Sequence, residues 1–171
     1  FYGRDLNDGT TLARLLKALV KIDNVKWIRL FYLYPTYFDD ELLEIITKEE
    51  KICKYVDIPL QHISDSVLRR MHRRDSSQSI KKLLKKLRNT TPYITIRTTL
   101  MVGFPGETEA DFKELLTFIK AVKFDNMGAF TYSAQDGTPA ARMVDQVTEE
   151  IKENRYHELM AVSYTHLRAH E

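Results

Sequence analysis

The stretch that most constrains this chain is Ile94 to Phe112, which reads ITIRTTLMVGFPGETEADF. Its first half is β-branched and apolar, the composition of a buried strand. Gly103-Phe104-Pro105-Gly106 ends that strand, and Glu107-Thr108-Glu109-Ala110-Asp111 opens a helix. Thr108 with Asp111 three residues on has the form of a capping box, and its acidic first turn suits the positive end of the helix dipole. A strand that passes through a glycine turn into a helix places bare backbone N–H groups at the C-terminal edge of a sheet, where α/β proteins bind ligands. The turn is therefore expected to bind a ligand, the alternative being an ordinary tight βα loop. It lacks the third glycine of a dinucleotide fingerprint, and no Gly-Lys-Ser/Thr follows as in a phosphate loop.

The rest of the chain repeats this alternation. Tyr2-Gly3-Arg4-Asp5 reads as the exit of a strand whose body precedes Phe1, and Leu12, Leu15, Leu16 and Leu19 follow at helical spacing. Trp27–Tyr34 reads as a strand ended by Pro35, and a helix from about Asp39 buries Leu42, Leu43, Ile45 and Ile46. Tyr55–Leu60 is the next strand, with Gln61-His62 at its exit. Ser64 can cap a short helix carrying Val67, Leu68 and Met71. A longer helix places Ile80, Leu83, Leu84 and Leu87 inside and Lys81, Lys82, Lys85, Lys86 and Arg88 outside. After the opening strand, a helix buries Phe112, Leu115, Leu116 and Ile119. Met127–Tyr132 is a last strand, Ser133–Pro139 a polar turn, and a final helix starts near Thr148. These crossovers suit parallel pairing, so the class is α/β, either an open doubly wound sheet or an arc of a β/α barrel.

With 171 residues, 43% of them hydrophobic, the chain can bury a real core. A net charge of +2 is too balanced to argue for nucleic-acid binding from bulk charge. The single cysteine, Cys53, excludes an internal disulfide and points to a reducing compartment. No apolar run is long enough to span a bilayer, so a cytoplasmic domain without a membrane partner is expected, cut from something longer.

In a parallel β/α fold the strand exits share one face, so Tyr2-Gly3-Arg4-Asp5, Tyr34-Pro35, Gln61-His62-Ile63-Ser64, the Gly103–Glu107 turn, Tyr132 and Ser133 converge there. His62 reads either as a proton donor or cofactor contact, or as a histidine satisfied in a loop. Arg97, inside an apolar strand, needs partners for its guanidinium, which favours a functional or site-ordering role. The runs Arg69–Arg74 and Lys81–Arg88 are solvated helix faces or an RNA-contacting surface. Cys53 has no second cysteine at ligand spacing and reads as structural.

Taken together, these stretches resemble the radical S-adenosylmethionine methylthiotransferases. The matching residues are Tyr2-Gly3-Arg4-Asp5-Leu6, Trp27-Ile28-Arg29-Leu30 with Tyr34-Pro35, and Asp57-Ile58-Pro59-Leu60-Gln61-His62. Arg97-Thr98-Thr99 running into Val102-Gly103-Phe104-Pro105-Gly106-Glu107-Thr108-Glu109 follows, then Tyr132-Ser133, Gly137-Thr138, Asp145-Gln146-Val147 and Arg155. The resemblance implies a partial β/α barrel, truncated at its N-terminal end. It implies that S-adenosylmethionine is held by Gln61, His62, Ser64, Arg97, Gly103, Phe104, Pro105, Gly106, Glu107, Tyr132 and Ser133. It also implies two [4Fe-4S] clusters in the full-length enzyme, reduced by a donor such as flavodoxin or ferredoxin. Radical abstraction of hydrogen, sulfur insertion and methyl transfer would follow.

Within the family, Leu60-Gln61-His62, Arg97-Thr98-Thr99 and Asp145-Gln146-Val147 resemble the branch that modifies an aspartate of ribosomal protein S-twelve in the small ribosomal subunit. The sister branch acts on isopentenyladenosine in transfer RNA and shares the Gly-Phe-Pro-Gly-Glu-Thr-Glu turn. Another radical enzyme on the same barrel, or a cluster-less RNA- or ribosome-binding module, are the readings outside it. The chain departs from the family in lacking the Cys-x3-Cys-x2-Cys loop, expected upstream of Tyr2, and both flanking domains. Residues 1–160 are thus expected to be a partial core, inactive alone, and 161–171 a non-native tail. No catalytic residue is assigned.

Overall fold

Three parallel strands carry the architecture of the computed structural model, which describes residues 2–3 and 5–168. They are β1 (Tyr55–Asp57), β2 (Thr95–Val102) and β3 (Asn126–Thr131), side by side in that order. Asp57 pairs with Arg97, Thr99 with Gly128, and Met101 with Phe130. Along β2 every second residue is buried (Ile96, Thr98, Leu100, Val102), while Thr95, Arg97, Thr99 and Met101 are half-buried on the opposite face. One face is thus packed on helices, and the other is the open inner side of an incomplete barrel.

Local chemistry accounts for most of the helices. Thr11 caps α1 (Leu12–Leu19) by accepting from the Arg14 N–H. Asp39 caps α2 (Asp40–Lys48), which buries Leu42, Leu43, Ile45 and Ile46 as expected. After α3 (Asp65–Arg70), a Ser76–Ser79 capping box starts α4 (Ser77–Thr90), which buries Ile80, Leu83, Leu84 and Leu87. The Thr108–Asp111 box starts α5 (Glu109–Val122), whose buried face includes Phe112, Leu115, Leu116 and Ile119. These apolar faces join Val56, Ile96, Leu100 and Val102 in one core. A smaller cluster of Val67, Phe104 and Tyr132, with Met71, Met101 and Met143 against it, sits at the strand exits.

Several expectations need correction. Trp27–Tyr34 is not a regular strand: it runs parallel to the β1 edge through one bridge, Ile28 to Ile52, and through the Leu33 N–H to Asp57 O at 2.8 Å. Tyr32 stands at φ +56°, which turns the chain out of the pleat between those contacts. The Tyr55–Leu60 strand stops at Asp57 because Pro59 has no N–H to donate. The Thr98 hydroxyl fills the gap by donating to Ile58 O, and pairing resumes where the Gln61 N–H meets Thr99 O at 2.9 Å. Ser64 occupies the N-cap position of α3 without a side-chain cap bond, because its hydroxyl donates to Asp111 instead. The last helix is α6 (Glu149–Arg168). Tyr2 and Gly3 lie in a turn, and Arg4 falls outside the described residues. No helix among the described residues is long and apolar enough to cross a membrane.

Candidate functional site

The exits of β1, β2 and β3 open into one cavity of about 570 Å³. Met101, Phe104, Phe130 and Met143 make its apolar walls, and Arg70, His72, Arg73 and Arg74 stand at its basic mouth. Gln61 enters from the β1 exit with its backbone at φ +69°. Its Oε1 is buried and has no hydrogen-bond partner among the described residues. An unpaired buried acceptor costs roughly 1–3 kcal/mol, so its position against an open cavity is that of a group awaiting a donor.

The glycine turn does not present bare N–H groups. Glu107 turns its carboxylate back onto it: Oε2 accepts from the N–H of Gly103 at 2.7 Å and of Phe104 at 3.4 Å. The Gly106 N–H donates to Asp145 O and the Glu107 N–H to Phe104 O. Glycine is required here for a different reason. Gly103 and Gly106 hold φ +74° and +80°, and a Cβ would lie 2.2 Å from Lys152 Cγ at the first and 2.4 Å from Arg70 Cζ at the second. The turn is therefore a packed corner, and Phe104 is the part of it that faces the cavity.

Behind that corner lies a buried polar network. His62 Nδ1 accepts from the Ser64 N–H at 3.0 Å, which leaves the ring proton on Nε2, 3.8 Å from Glu107 Oε2. Burial lowers the His62 pKa to about 4, against the pull of Asp111. His62 is thus a neutral acceptor near pH 7, buried behind the glycine turn. Burial pushes the Glu107 carboxyl upward, opposed by Arg155, whose Nη1 donates to Oε1 at 2.9 Å and to Glu107 O at 3.1 Å. Asp111 is held below the ordinary range by the Ser64 and Thr108 hydroxyls despite some burial.

Of the expected site residues, Gln61 and Phe104 line the cavity. Tyr132 backs it, its ring edge-on to Phe104 at 5.2 Å and its hydroxyl buried without a partner among the described residues. His62, Ser64, Gly103 and Glu107 form the network behind, Pro105 is buried, and Gly106 lies under Arg70. Ser133 is exposed. Arg97 is 39% exposed, and its Nη1 meets both oxygens of the buried Asp57 at 3.1 Å. It lies four residues before Met101 on the same strand face, about 13 Å away along the strand, and is not among the residues that line the cavity.

The basic runs separate in the same way. Arg73 is drawn inward, donating to Pro59 O at 3.0 Å and stacking on Tyr34. Arg70 pairs with Asp145 at 2.7 Å, whereas no hydrogen bond or ion pair engages Arg74 among the described residues. On α4, Lys81, Lys86 and Arg88 pair with Glu114, Asp40 and Asp125, so much of that face is neutralised. Arg155, Asp145 and Gln146 were legible only as part of a family resemblance. Gln146 donates to Ala140 O and Met143 O, which folds the 138–143 segment over the cavity. Cys53 lies at the N-terminal end of β1, on the opposite edge of the sheet from the cavity. No group of three His, Cys, Asp or Glu side chains among the described residues could hold a metal ion.

The chain is 51% identical over 98% of its length to the ribosomal protein uS12 methylthiotransferase RimO of Geotalea uraniireducens, covering 38% of that protein. It is 53% identical to the protein of the same name from Clostridium tetani, over 93% of this chain and 36% of that one. The chain thus spans little more than a third of these relatives. Among solved structures it resembles coproporphyrinogen III oxidase (HemN) of Escherichia coli, a radical SAM enzyme, with a TM-score of 0.70 at 19% identity over 90% of this chain and 36% of that one. The methyltransferase TsrM of Kitasatospora setae follows at 0.61 and 20% identity, over 75% and 24%. Both likenesses speak to the fold. The family model of the radical SAM superfamily matches residues 1–119, and on that match the chain belongs to the radical SAM superfamily.

Proposed function

We propose that this chain is the S-adenosylmethionine-binding part of a methylthiotransferase that modifies the β-carbon of an aspartate in ribosomal protein S-twelve. The observation that carries the reading is the roughly half-identical match to relatives of that name along nearly the whole chain. The cavity is chemically suited to the cofactor. Phe104, Met101 and Met143 offer apolar walls to a flat heteroaromatic ring, and Gln61 Oε1 can accept from an exocyclic amine. The guanidinium of Arg74, unengaged among the described residues, suits a carboxylate at the mouth. Bound there, S-adenosylmethionine would supply the methyl group and the radical chemistry of the superfamily. This chain's residues would orient it and exclude water.

An iron–sulfur cluster does not fit the described residues. One cysteine on the far edge of the sheet offers no ligand set. The cluster cysteines, the second cluster and the docking of a flavodoxin- or ferredoxin-like donor belong in this reading to the remainder of the full-length protein. Methylthiolation by these 171 residues alone would contradict that assignment. The substrate is tested by deleting the gene that encodes the chain and comparing ribosomal protein S-twelve with transfer RNA by mass spectrometry. Loss of the methylthio group from one aspartate is expected. Loss from isopentenyladenosine instead would move the protein to the transfer-RNA branch.

A further inference from the structure

We propose that Arg155, on α6, is a positioning residue for the cavity, acting through Glu107 to fix the Phe104 wall. The inference rests on the reading of the cavity as an S-adenosylmethionine site. It starts from an unusual division of labour at the glycine turn. Both oxygens of Glu107 are spent internally, Oε2 on the N–H groups of Gly103 and Phe104 and Oε1 on Arg155. The same Arg155 nitrogen also takes the backbone carbonyl of Glu107, so one guanidinium grips the strap and the backbone that carries it.

Arg155 is itself 7% exposed and reaches this corner from 48 residues away in sequence. Its second nitrogen stands 3.6 Å from Glu109 Oε2, and its charge lies 5.5 Å from the Phe112 ring centre. Three residues earlier on the same helix, Lys152 packs its stem where a side chain at Gly103 would sit, and stacks its ammonium 5.3 Å from the Tyr132 ring. α6 thus covers the corner with two long cationic side chains, and Phe104 is clasped between Tyr132 and the strap. Apart from Arg155, the cationic candidate nearest Glu107 is His62, which burial keeps neutral. Removing the guanidinium leaves a buried carboxylate without its counter-charge, and the strap across Gly103 and Phe104 slackens. The wall that a planar ring would rest on then loses its fixed position, which costs affinity by loss of preorganisation.

The test uses the whole 171-residue chain and S-adenosylhomocysteine as probe, measured by titration calorimetry, with amide hydrogen exchange over Gly103–Phe104 as a ligand-free readout. R155M is expected to weaken binding at least tenfold and to speed exchange at those two amides. R155K keeps the charge but not the two-pronged geometry, and should fall between the two. L159A, at a buried core position on the same helix, should lower the melting temperature yet leave affinity within about twofold. If R155M does not fold, R155K against the parent carries the comparison. Unchanged affinity and exchange in the arginine variants would overturn the proposal, as would an equal loss in L159A, which would reduce Arg155 to general stability. A parent chain that fails to bind S-adenosylhomocysteine while R155M still speeds exchange removes the cofactor reading and leaves the positioning role standing.

Discussion

Replacing His62 by Asn should flatten the acid limb of the stability curve. The ring is fully buried and neutral, with Nδ1 accepting from the Ser64 N–H. In the unfolded chain it regains the ordinary pKa of 6.5, whereas in the fold burial holds it at about 4. The folded state therefore binds fewer protons in that interval. Stability is fully present above pH 6.5 and is lost as the pH falls towards 4. At about 1.4 kcal/mol per pH unit, the full difference is worth about 3 kcal/mol, of which about 2 kcal/mol is lost by about pH 5. An Asn side-chain oxygen can take the Ser64 N–H and does not titrate, so the variant keeps the bond and drops the linkage. Urea unfolding of parent and variant at about pH 7 and about pH 5 isolates the effect, because the carboxylates and the other histidines titrate in both and cancel. The parent should lose about 2 kcal/mol more than the variant between the two conditions. Equal losses would refute the reasoning: either His62 is charged in the fold, paired with Glu107 at 3.8 Å, or the ring is not desolvated.

Three further outcomes follow from the same geometry. Gly103→Ala forces a Cβ into the Lys152 stem and an unfavourable left-handed backbone, so thermal unfolding should report a loss of at least about 1–2 kcal/mol. Gln61→Leu removes the unpartnered buried Oε1, so stability should hold or rise slightly while S-adenosylhomocysteine affinity drops by about tenfold, the worth of one hydrogen bond to the ligand. Arg97→Ala strands the buried Asp57 carboxylate and should cost about 1–3 kcal/mol in urea unfolding. Asp57→Ala should cost less, because the half-exposed Arg97 guanidinium can hydrate.

What was legible in the sequence was what is decided within one turn of chain. Asp39 and the Thr108–Asp111 pair announce their helices because a cap reaches only two or three residues. The apolar faces of α2, α4 and α5 follow from spacing alone. The failures share a cause in longer-range competition. Trp27–Tyr34 has the composition of a strand, but the left-handed turn at Tyr32 leaves it only scattered contacts with the β1 edge. Ser64 has the identity of a cap, but Asp111, 47 residues away, offers its hydroxyl a carboxylate. The Arg69–Arg74 run reads as one basic surface, yet the fold sends Arg73 to Pro59 O and Arg70 to Asp145, leaving Arg74 at the cavity mouth.

The glycine turn carries the same lesson into function. Sequence alone places a row of N–H donors at the edge of a sheet, and a row of donors invites an anion. Whether the invitation is open depends on an acceptor that periodicity cannot locate, and here Glu107 answers it from inside the same turn. A resident carboxylate in that position repels a phosphate and converts the turn from an anion cradle into a rigid frame for Phe104. What the turn presents to the cavity is the Phe104 ring and not a row of N–H donors. Arg74, which no hydrogen bond or ion pair engages among the described residues, lines the same cavity.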